Sequence, residues 1–310
     1  MRPALSVILL TTLIGAGQGL FLALYAAELA VHSGIITMPA RTFFVGGGLV
    51  ALALACTGLV ASVFHLGRPS RGWRAASQWR TSWLSREIIA LPSFMACLAA
   101  WTAAHAAGDE ATGALGAATA VLAVALFVCT GMIYAAVRAL AEWSTPLTPI
   151  NYLLLGCASG TALAAAWCAV AAPHLARSYA LAALCLTAGG AVTRCGSLAR
   201  NRGLRPKTNL QTAVGIAHPV LSQRSQGFIG SSFNTREFFH GATRERMRRI
   251  KLGFLLFAFA LPILLLAFGG TSLTVLAAAF AVQYAGLLGE RWYFFAEANH
   301  PQNLYYQCMS

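Results

Sequence analysis

The sequence predicts an all-α integral membrane protein, a bundle of eight transmembrane helices. Of its 310 residues, 58% are hydrophobic and only 10% are charged, whereas a soluble domain usually carries about 25% charged residues. The apolar residues form long segments, each near the roughly 20 residues that a spanning helix needs. The basic residues collect between these segments. Residues 1–310 are therefore predicted to form a single membrane domain.

Eight spans are predicted in chain order. They cover about 5–31, 42–64, 85–107, 112–138, 148–171, 174–195, 252–268 and 271–290. The first has no small-residue cleavage site behind its apolar run, so it is predicted to be a permanent helix and not a signal peptide. Pro173 and His174 separate the fifth span from the sixth, and Gly269 and Gly270 separate the seventh from the eighth. Proline and glycine at such points end helices.

The distribution of charge predicts the orientation of the bundle. With eight spans, both termini lie on the same membrane face as the second–third, fourth–fifth and sixth–seventh connections. This face, called the basic face below, carries 20 of the 22 lysines and arginines, and the opposite face carries only Arg41 and Arg177. The positive-inside rule makes the basic face cytoplasmic, in a bacterial inner membrane. The net charge of +13 thus indicates orientation and not nucleic-acid binding.

The longest polar connection, at about 196–251, is predicted to lie in the cytoplasm. It is basic and contains aromatic residues such as Phe228 and Phe233. It could be a solvated loop that fixes orientation, or a surface on which a partner protein docks. The two interpretations are compatible.

The cysteines and histidines give no sign of a metal centre or haem on this chain. The eight cysteines form no CxxC pair, and iron–sulfur clusters need several thiolates at close spacing. None of the seven histidines lies in the middle of a predicted span, so no haem is expected. His32, His105 and His174 lie near the opposite face, where ordinary interfacial positions are favoured over a haem pair. Glu28 is likewise predicted to reach the interface, although a proton path is the alternative.

The polar stretch from Phe64 to Glu87 is the strongest candidate for a functional site. It contains His65, five arginines, three tryptophans and Glu87. His65 lies at the end of the second span, because Gly67 and Pro69 stop the helix. Glu87 lies at the start of the third, behind Ser82 or Ser85 as N-cap. Taken alone, either residue could simply interact favourably with the dipole of its helix. The loop, however, returns both residues to one membrane face at similar depth, where ionisable groups are costly and often functional.

A histidine and a carboxylate at a membrane interface suit a quinone site. Quinol oxidation releases two electrons and two protons, and histidine and a partly buried carboxylate can both exchange protons near neutral pH. Arginines could hydrogen-bond a quinone carbonyl, and tryptophans could stack on the ring or simply belong to the interfacial aromatic belt. His65 and Glu87 are the predicted proton-exchanging residues. The predicted quinone-binding residues are His65, Arg68, Arg71, Trp83, Arg86 and Glu87.

Four stretches together resemble the dimethyl sulfoxide reductase membrane-anchor family. The most specific is His-Leu-Gly-Arg-Pro at 65–69, followed by Arg-Gly-Trp-Arg at 71–74 and Gln-Trp-Arg-Thr-Ser-Trp-Leu-Ser-Arg-Glu at 78–87. The start of the chain at 3–17, the segments 225–228 and 233–238, and the C-terminal segment 290–306 agree with it. The similarity spans the whole chain.

The resemblance implies an eight-helix subunit that exchanges electrons between the quinone pool and a ferredoxin-like iron–sulfur subunit. That subunit would serve a molybdopterin catalytic subunit, so that the clusters and the molybdenum lie on partner chains. The substrate in the membrane would be menaquinone or ubiquinone. The family's histidine and glutamate that match His65 and Glu87 are tied to quinol binding. Similar anchors serve sulfite-oxidising complexes, so the direction of electron flow stays open.

Two other classes of function are compatible with an eight-span bundle. One is a transporter, although neither a pair of broken helices nor an internal repeat is apparent in the sequence. The other is a redox-inert tether that holds partner subunits at the membrane without binding quinone.

Overall fold

The computed structural model describes residues 1–64, 69–205, 209–222 and 237–305. Over these residues the protein is helical and contains no strand. Eight of the described helices are long and apolar enough to cross a membrane. The predicted all-α bundle of eight spans is therefore confirmed.

The longest connections between spans precede the third and the seventh. The first six are α1 Leu5–His32, α2 Arg41–Val63, α3 Trp83–Ala107, α4 Thr112–Ala135, α5 Leu147–Ala171 and α6 Ala176–Arg202. A short helix, α7 Leu210–Val214, lies in the long polar connection. The seventh span is α8 Arg244–Leu255, a π-helical turn Leu256–Ala260 and α9 Leu261–Phe268, and the eighth is α10 Leu273–Glu297.

Three spans extend further towards the basic face than hydropathy predicts. The sixth ends at Arg202 instead of 195, the seventh begins at Arg244 instead of 252, and the eighth ends at Glu297 instead of 290. A span predicted from hydropathy ends at the first charged residue. The helix itself can continue, because long charged side chains reach the interface with their charged ends. The non-helical part of the long connection therefore begins only at Gly203.

The centre of the bundle is a backbone contact between α1 and α5. A Cβ atom added to Gly19 would lie 2.2 Å from the carbonyl oxygen of Gly156, and one added to Gly160 would lie 2.2 Å from the carbonyl carbon of Gly19. Small residues permit such approach, which matters because lipid provides no hydrophobic force between helices. α1 also contacts α2, α4 and α10, and α5 also contacts α2, α4, α6 and α10, so the α1–α5 pair lies at the centre of the bundle.

We expect Gly160→Ala to destabilise the bundle by about 1–3 kcal/mol or more, because the new methyl group would meet backbone that cannot move aside. Gly189→Ala is the matched control in α6, since a Cβ there meets nothing within 4 Å. It should stabilise its helix by about 0.5–1 kcal/mol. Thermal unfolding of the two variants in detergent checks this, and equal melting temperatures would contradict the close α1–α5 contact.

On the basic face, the two ends of the chain and the last part of the long connection pack together. The amino group of Met1 donates to the Ala298 carbonyl at 2.8 Å, and the backbone amide of Arg2 donates to the Glu237 carbonyl at 2.8 Å. The ring of Phe238 stacks on His300 with 3.9 Å between centroids. We call this group, residues 1–2, 237–238 and 298–303, the terminal cluster.

Candidate functional site

The loop that precedes α3 is built from paired tryptophans and arginines. It contains a 3₁₀ segment at Pro69–Gln78, and α3 then begins behind Ser82, whose side chain accepts from the amide of Ser85 at 3.4 Å. The guanidinium carbons lie 5.5 Å (Arg74 on Trp73), 5.3 Å (Arg80 on Trp79) and 4.2 Å (Arg86 on Trp83) from the ring centroids. Such cation–π contacts hold each arginine against a ring.

Arg86 binds the loop to the first turn of α3. Its Nε donates to the carbonyl of Trp79 and its Nη2 donates to the carbonyl of Arg80, both at 2.9 Å. These bonds satisfy two carbonyls of the preceding turn while the guanidinium covers Trp83. Of the other predicted quinone-binding residues, Arg71 is exposed, and His65 and Arg68 lie outside the described residues. The predicted pairing of His65 with Glu87 stays a prediction.

Glu87 is half-buried, and one of its carboxylate oxygens turns towards the inside of the bundle. Its Oε1 accepts from the hydroxyl of Thr130 on α4 at 2.5 Å. Beside it lies a cavity of about 10 Å³, called the Glu87 cavity below. The residues that line it with Glu87 are Leu10, Thr11, Ile14, Gln18, Phe127, Thr130 and Tyr152. This volume is at the lower limit for a single water molecule.

A second polar group, which the sequence did not reveal, lies between α6 and α10. The Arg194 Nε and Glu290 Oε1 atoms are 2.6 Å apart, and Arg291 Nη1 lies 3.2 Å from Glu290 Oε2. The three side chains are at most 5% exposed. By sequence alone, both arginines belong among the charges of the basic face. The sequence feature that could have indicated the ion pairs is the dipeptide Glu290-Arg291 at the end of an apolar segment, because charged groups in the membrane need partners.

Tyr152 on α5 joins this ion cluster to the Glu87 cavity. The Arg291 guanidinium lies over its ring, 3.7 Å from the centroid. Tyr152 also lines a second cavity of about 10 Å³, called the Glu290 cavity below. The other residues that line it are Glu142, Thr148, Asn151, Arg194, Ser197, Glu290, Arg291 and Phe294. Tyr152 is therefore the residue that lines both cavities, between Glu87 on α3 and the ion cluster of α6 and α10.

At the opposite face, Glu28 forms a buried cluster with Trp101 and His105. The indole Nε1 of Trp101 donates to Glu28 Oε2 at 2.8 Å, and His105 Nε2 lies 3.6 Å from Glu28 Oε1. All three are at most 5% exposed, so Glu28 and His105 are covered by neighbouring helices. Both lie near the ends of α1 and α3, and their predicted position at the membrane interface stays a prediction. α1 is apolar along most of its length, and its sequence does not show that the Glu28 side faces Trp101. A cavity of about 210 Å³ adjoins the cluster.

We expect Trp101→Phe to destabilise the protein by about 1–3 kcal/mol, because it leaves a buried carboxylate oxygen without its donor. Trp73→Phe is the matched control, since Trp73 is 71% exposed. Thermal unfolding in detergent should separate the two variants. Equal stability would mean that the Glu28 cluster does not hold α1 against α3.

The part of the chain that the structure describes contains no group of three or more His, Cys, Asp or Glu residues that could hold a metal ion. Its seven described cysteines are free. The arrangement places a carboxylate at the basic end of α3, with ion pairs, hydroxyls and small cavities on its inner side.

Two comparisons relate this architecture to known proteins. The family model for the DMSO reductase anchor subunit (DmsC) matches residues 1–219, a range that includes Glu87, Thr130, Tyr152 and Arg194. A sulfite dehydrogenase subunit of Allochromatium vinosum is 48% identical over 327 residues, which cover 100% of each chain.

Proposed function

Because the chain belongs to the DMSO reductase anchor subunit family, we propose that it is the quinone-reactive membrane anchor of a molybdopterin oxidoreductase complex. Electrons pass between the quinone pool and a ferredoxin-like iron–sulfur subunit docked on the basic face. The full-length similarity to a sulfite dehydrogenase subunit favours one direction: sulfite is oxidised on the catalytic subunit, and quinone is reduced at this chain.

Glu87 carries the proposal. Reducing a quinone to a quinol takes two electrons and two protons, and the protons must be delivered at the ring oxygens. Glu87 is one turn inside α3 at the basic end, with one carboxylate oxygen fixed by Thr130. Acids placed at such points give rate factors of about 10²–10⁴. The carboxyl group of Glu87 delivers a proton to one ring oxygen and is reprotonated from the protein interior.

The space around Glu87 indicates where the ring binds. The Glu87 cavity, at about 10 Å³, takes a water molecule and not a ring. The quinone therefore approaches Glu87 from the side of the Phe64–Glu87 loop. There Trp83 offers a ring face, while Arg86 keeps the loop in shape through the carbonyls of Trp79 and Arg80. His65, Arg68 and Arg71 are the proposed further contacts, with His65 serving the second ring oxygen.

The iron–sulfur subunit docks on the basic face, at the long connection and the terminal cluster. The first turns of α8 present exposed arginines at Arg244, Arg246, Arg248 and Arg249. A partner with an acidic surface would be steered to them by charge, which makes association depend on salt. The molybdopterin subunit lies beyond, without a site on this chain.

Purification of the intact complex in mild detergent tests the proposal. We expect an iron–sulfur subunit and a molybdopterin subunit to copurify, and sulfite to drive the reduction of a short-chain ubiquinone analogue. Removing this chain should abolish quinone reduction but leave sulfite oxidation with an artificial dye. Quinone reduction that persists without the chain would identify it as an inert tether. Purification without redox partners would favour the transporter alternative.

A further inference from the structure

The quinone site leaves one set of polar groups unexplained, namely those that lie inside the bundle behind Glu87. We propose that protons reach Glu87 from the basic face through a buried relay whose central residue is Tyr152 and whose entrance is Glu142. The inference rests on the proposed function, since it concerns the supply of protons to the same carboxylate.

The position of the Tyr152 hydroxyl is the first argument. The residue is 3% exposed, and its hydroxyl oxygen has no hydrogen-bond partner of normal geometry among the described residues. The hydroxyl of Tyr134 lies close enough to interact with it as a hydrogen-bonding group, but the pair does not reach normal hydrogen-bond geometry. A buried hydroxyl without a full partner is costly, and water in an adjoining cavity is the usual way to satisfy it. Tyr152 adjoins two such cavities.

The two cavities give the relay its direction. On one side, the Glu87 cavity contains the carboxylate to be reprotonated. On the other side, the Glu290 cavity is lined by Asn151 and Ser197, which are hydrogen-bonded to each other at 2.8 Å, and by Glu142. Glu142 lies in the α4–α5 connection on the basic face and is only half-buried. A proton can therefore enter at Glu142 and leave at Glu87.

A tyrosine hydroxyl suits the middle of such a path because it donates and accepts at once. In each transfer, Tyr152 gives its proton to water in the Glu87 cavity and takes one from water in the Glu290 cavity. No net bond is made or broken in the relay. Its result is the movement of one proton from bulk water to Glu87, once for each quinone reduced.

The charges that face Tyr152 are balanced. The titratable and charged neighbours are Glu87 on α3, Tyr134 on α4, Glu142 in the connection, Arg194 on α6, and Glu290 and Arg291 on α10. Each carboxylate oxygen of Glu290 is within ion-pair distance of an arginine, so the proposed relay does not pass through Glu290. Its charge offsets the arginines that would otherwise repel a proton in the Glu290 cavity, and Arg291 fixes the orientation of the Tyr152 ring.

Towards the opposite face, buried apolar side chains of α1 and α3 follow the Glu87 cavity. Gln18 lines the Glu87 cavity, and the next acidic residue of α1 is Glu28, about 15 Å further along the helix. Between their levels lie Phe21, Leu24 and Phe94, each 0% exposed. The relay therefore opens to the basic face.

Tyr152→Phe and Tyr134→Phe in the intact complex form a matched pair. The two rings are stacked with 5.6 Å between centroids, both changes remove one hydroxyl, and Tyr134 lines neither cavity. We expect Tyr152→Phe to lower sulfite-driven quinone reduction about tenfold or more, with an unchanged KM for quinone. Its solvent deuterium isotope effect should increase, and added formic acid, a small proton carrier, should restore part of the rate. Tyr134→Phe should keep the rate within about twofold.

Glu142→Gln tests the entrance, because it removes the proton site but retains an oxygen that can accept from Asn299. It should slow turnover in the same way, and the double variant with Tyr152→Phe should be no slower than the slower single variant. The relay would be overturned if the two tyrosine variants reduced quinone at equal rates. It would also be overturned if Tyr152→Phe lowered the rate without a larger isotope effect or rescue by formic acid. If Glu87→Gln leaves turnover unchanged, the proposed function fails instead, so the two failures are distinguishable.

Discussion

Replacing Glu87 by Gln is expected to lower quinone reduction by the assembled complex about 100-fold or more. The amide keeps the size of the side chain and can still accept from Thr130, but it can neither give nor take the proton that the reaction requires. General acids and bases contribute about 10²–10⁴ in rate, so the expected loss lies in that range. The measurement is sulfite-driven reduction of a short-chain quinone by purified complex, normalised to sulfite oxidation with a dye.

The control for this prediction is Glu110→Gln. Glu110 is an exposed carboxylate in the α3–α4 connection on the opposite face, and its replacement should leave the rate unchanged. Both variants should contain all subunits in normal ratio. If the Glu87 variant keeps more than about a tenth of the activity while assembled, another group supplies the proton and the assignment of the site is wrong.

Replacing Glu290 by Gln is expected to destabilise the protein by about 3–5 kcal/mol. The substitution removes the charge that lies between Arg194 and Arg291 and leaves two guanidinium groups buried without a full counter-charge. Breaking a buried ion pair from one side costs this much because the remaining ion cannot return to water. Thermal or denaturant unfolding of the purified chain in detergent measures the loss.

Glu245→Gln provides the comparison, because it removes the same kind of charge from an exposed pair. Glu245 and Arg249 bind each other one turn apart on α8, and they are 70% and 77% exposed. Exposed pairs of this spacing contribute about 0.3–0.5 kcal/mol. If the two variants lose similar stability, the buried ion cluster does not hold α6 against α10 as its burial indicates.

The sequence predicted the spans because the bilayer fixes how long an apolar helix must be. It placed three of their ends too early, at Arg202, Arg244 and Glu297, because a hydropathy window treats every charge as a boundary. An α-helix has no such limit, since its backbone bonds are satisfied whatever side chains it carries.

The candidate site was predictable where the argument is local. The position of Glu87 at the start of α3 depends only on one loop and the two helix ends beside it, so its depth could be deduced from neighbouring residues. Tyr152, Arg194 and Glu290 could not be grouped in this way, because they come from three helices and meet only after the bundle has packed. Helices that are apolar all round give no pattern that tells which side faces which neighbour.

Phe21, Leu24 and Phe94 are the buried apolar residues between the levels of Gln18 and Glu28. Their position has a consequence for energy conservation in the cell. In the proposed reaction, electrons arrive from the basic face and the relay takes its protons from the same side, so no net charge would cross the bilayer when a quinone is reduced. The reaction is then electrically silent and generates no membrane potential of its own. The organism would gain energy from it only later, when another enzyme oxidises the quinol and releases its protons on the far side.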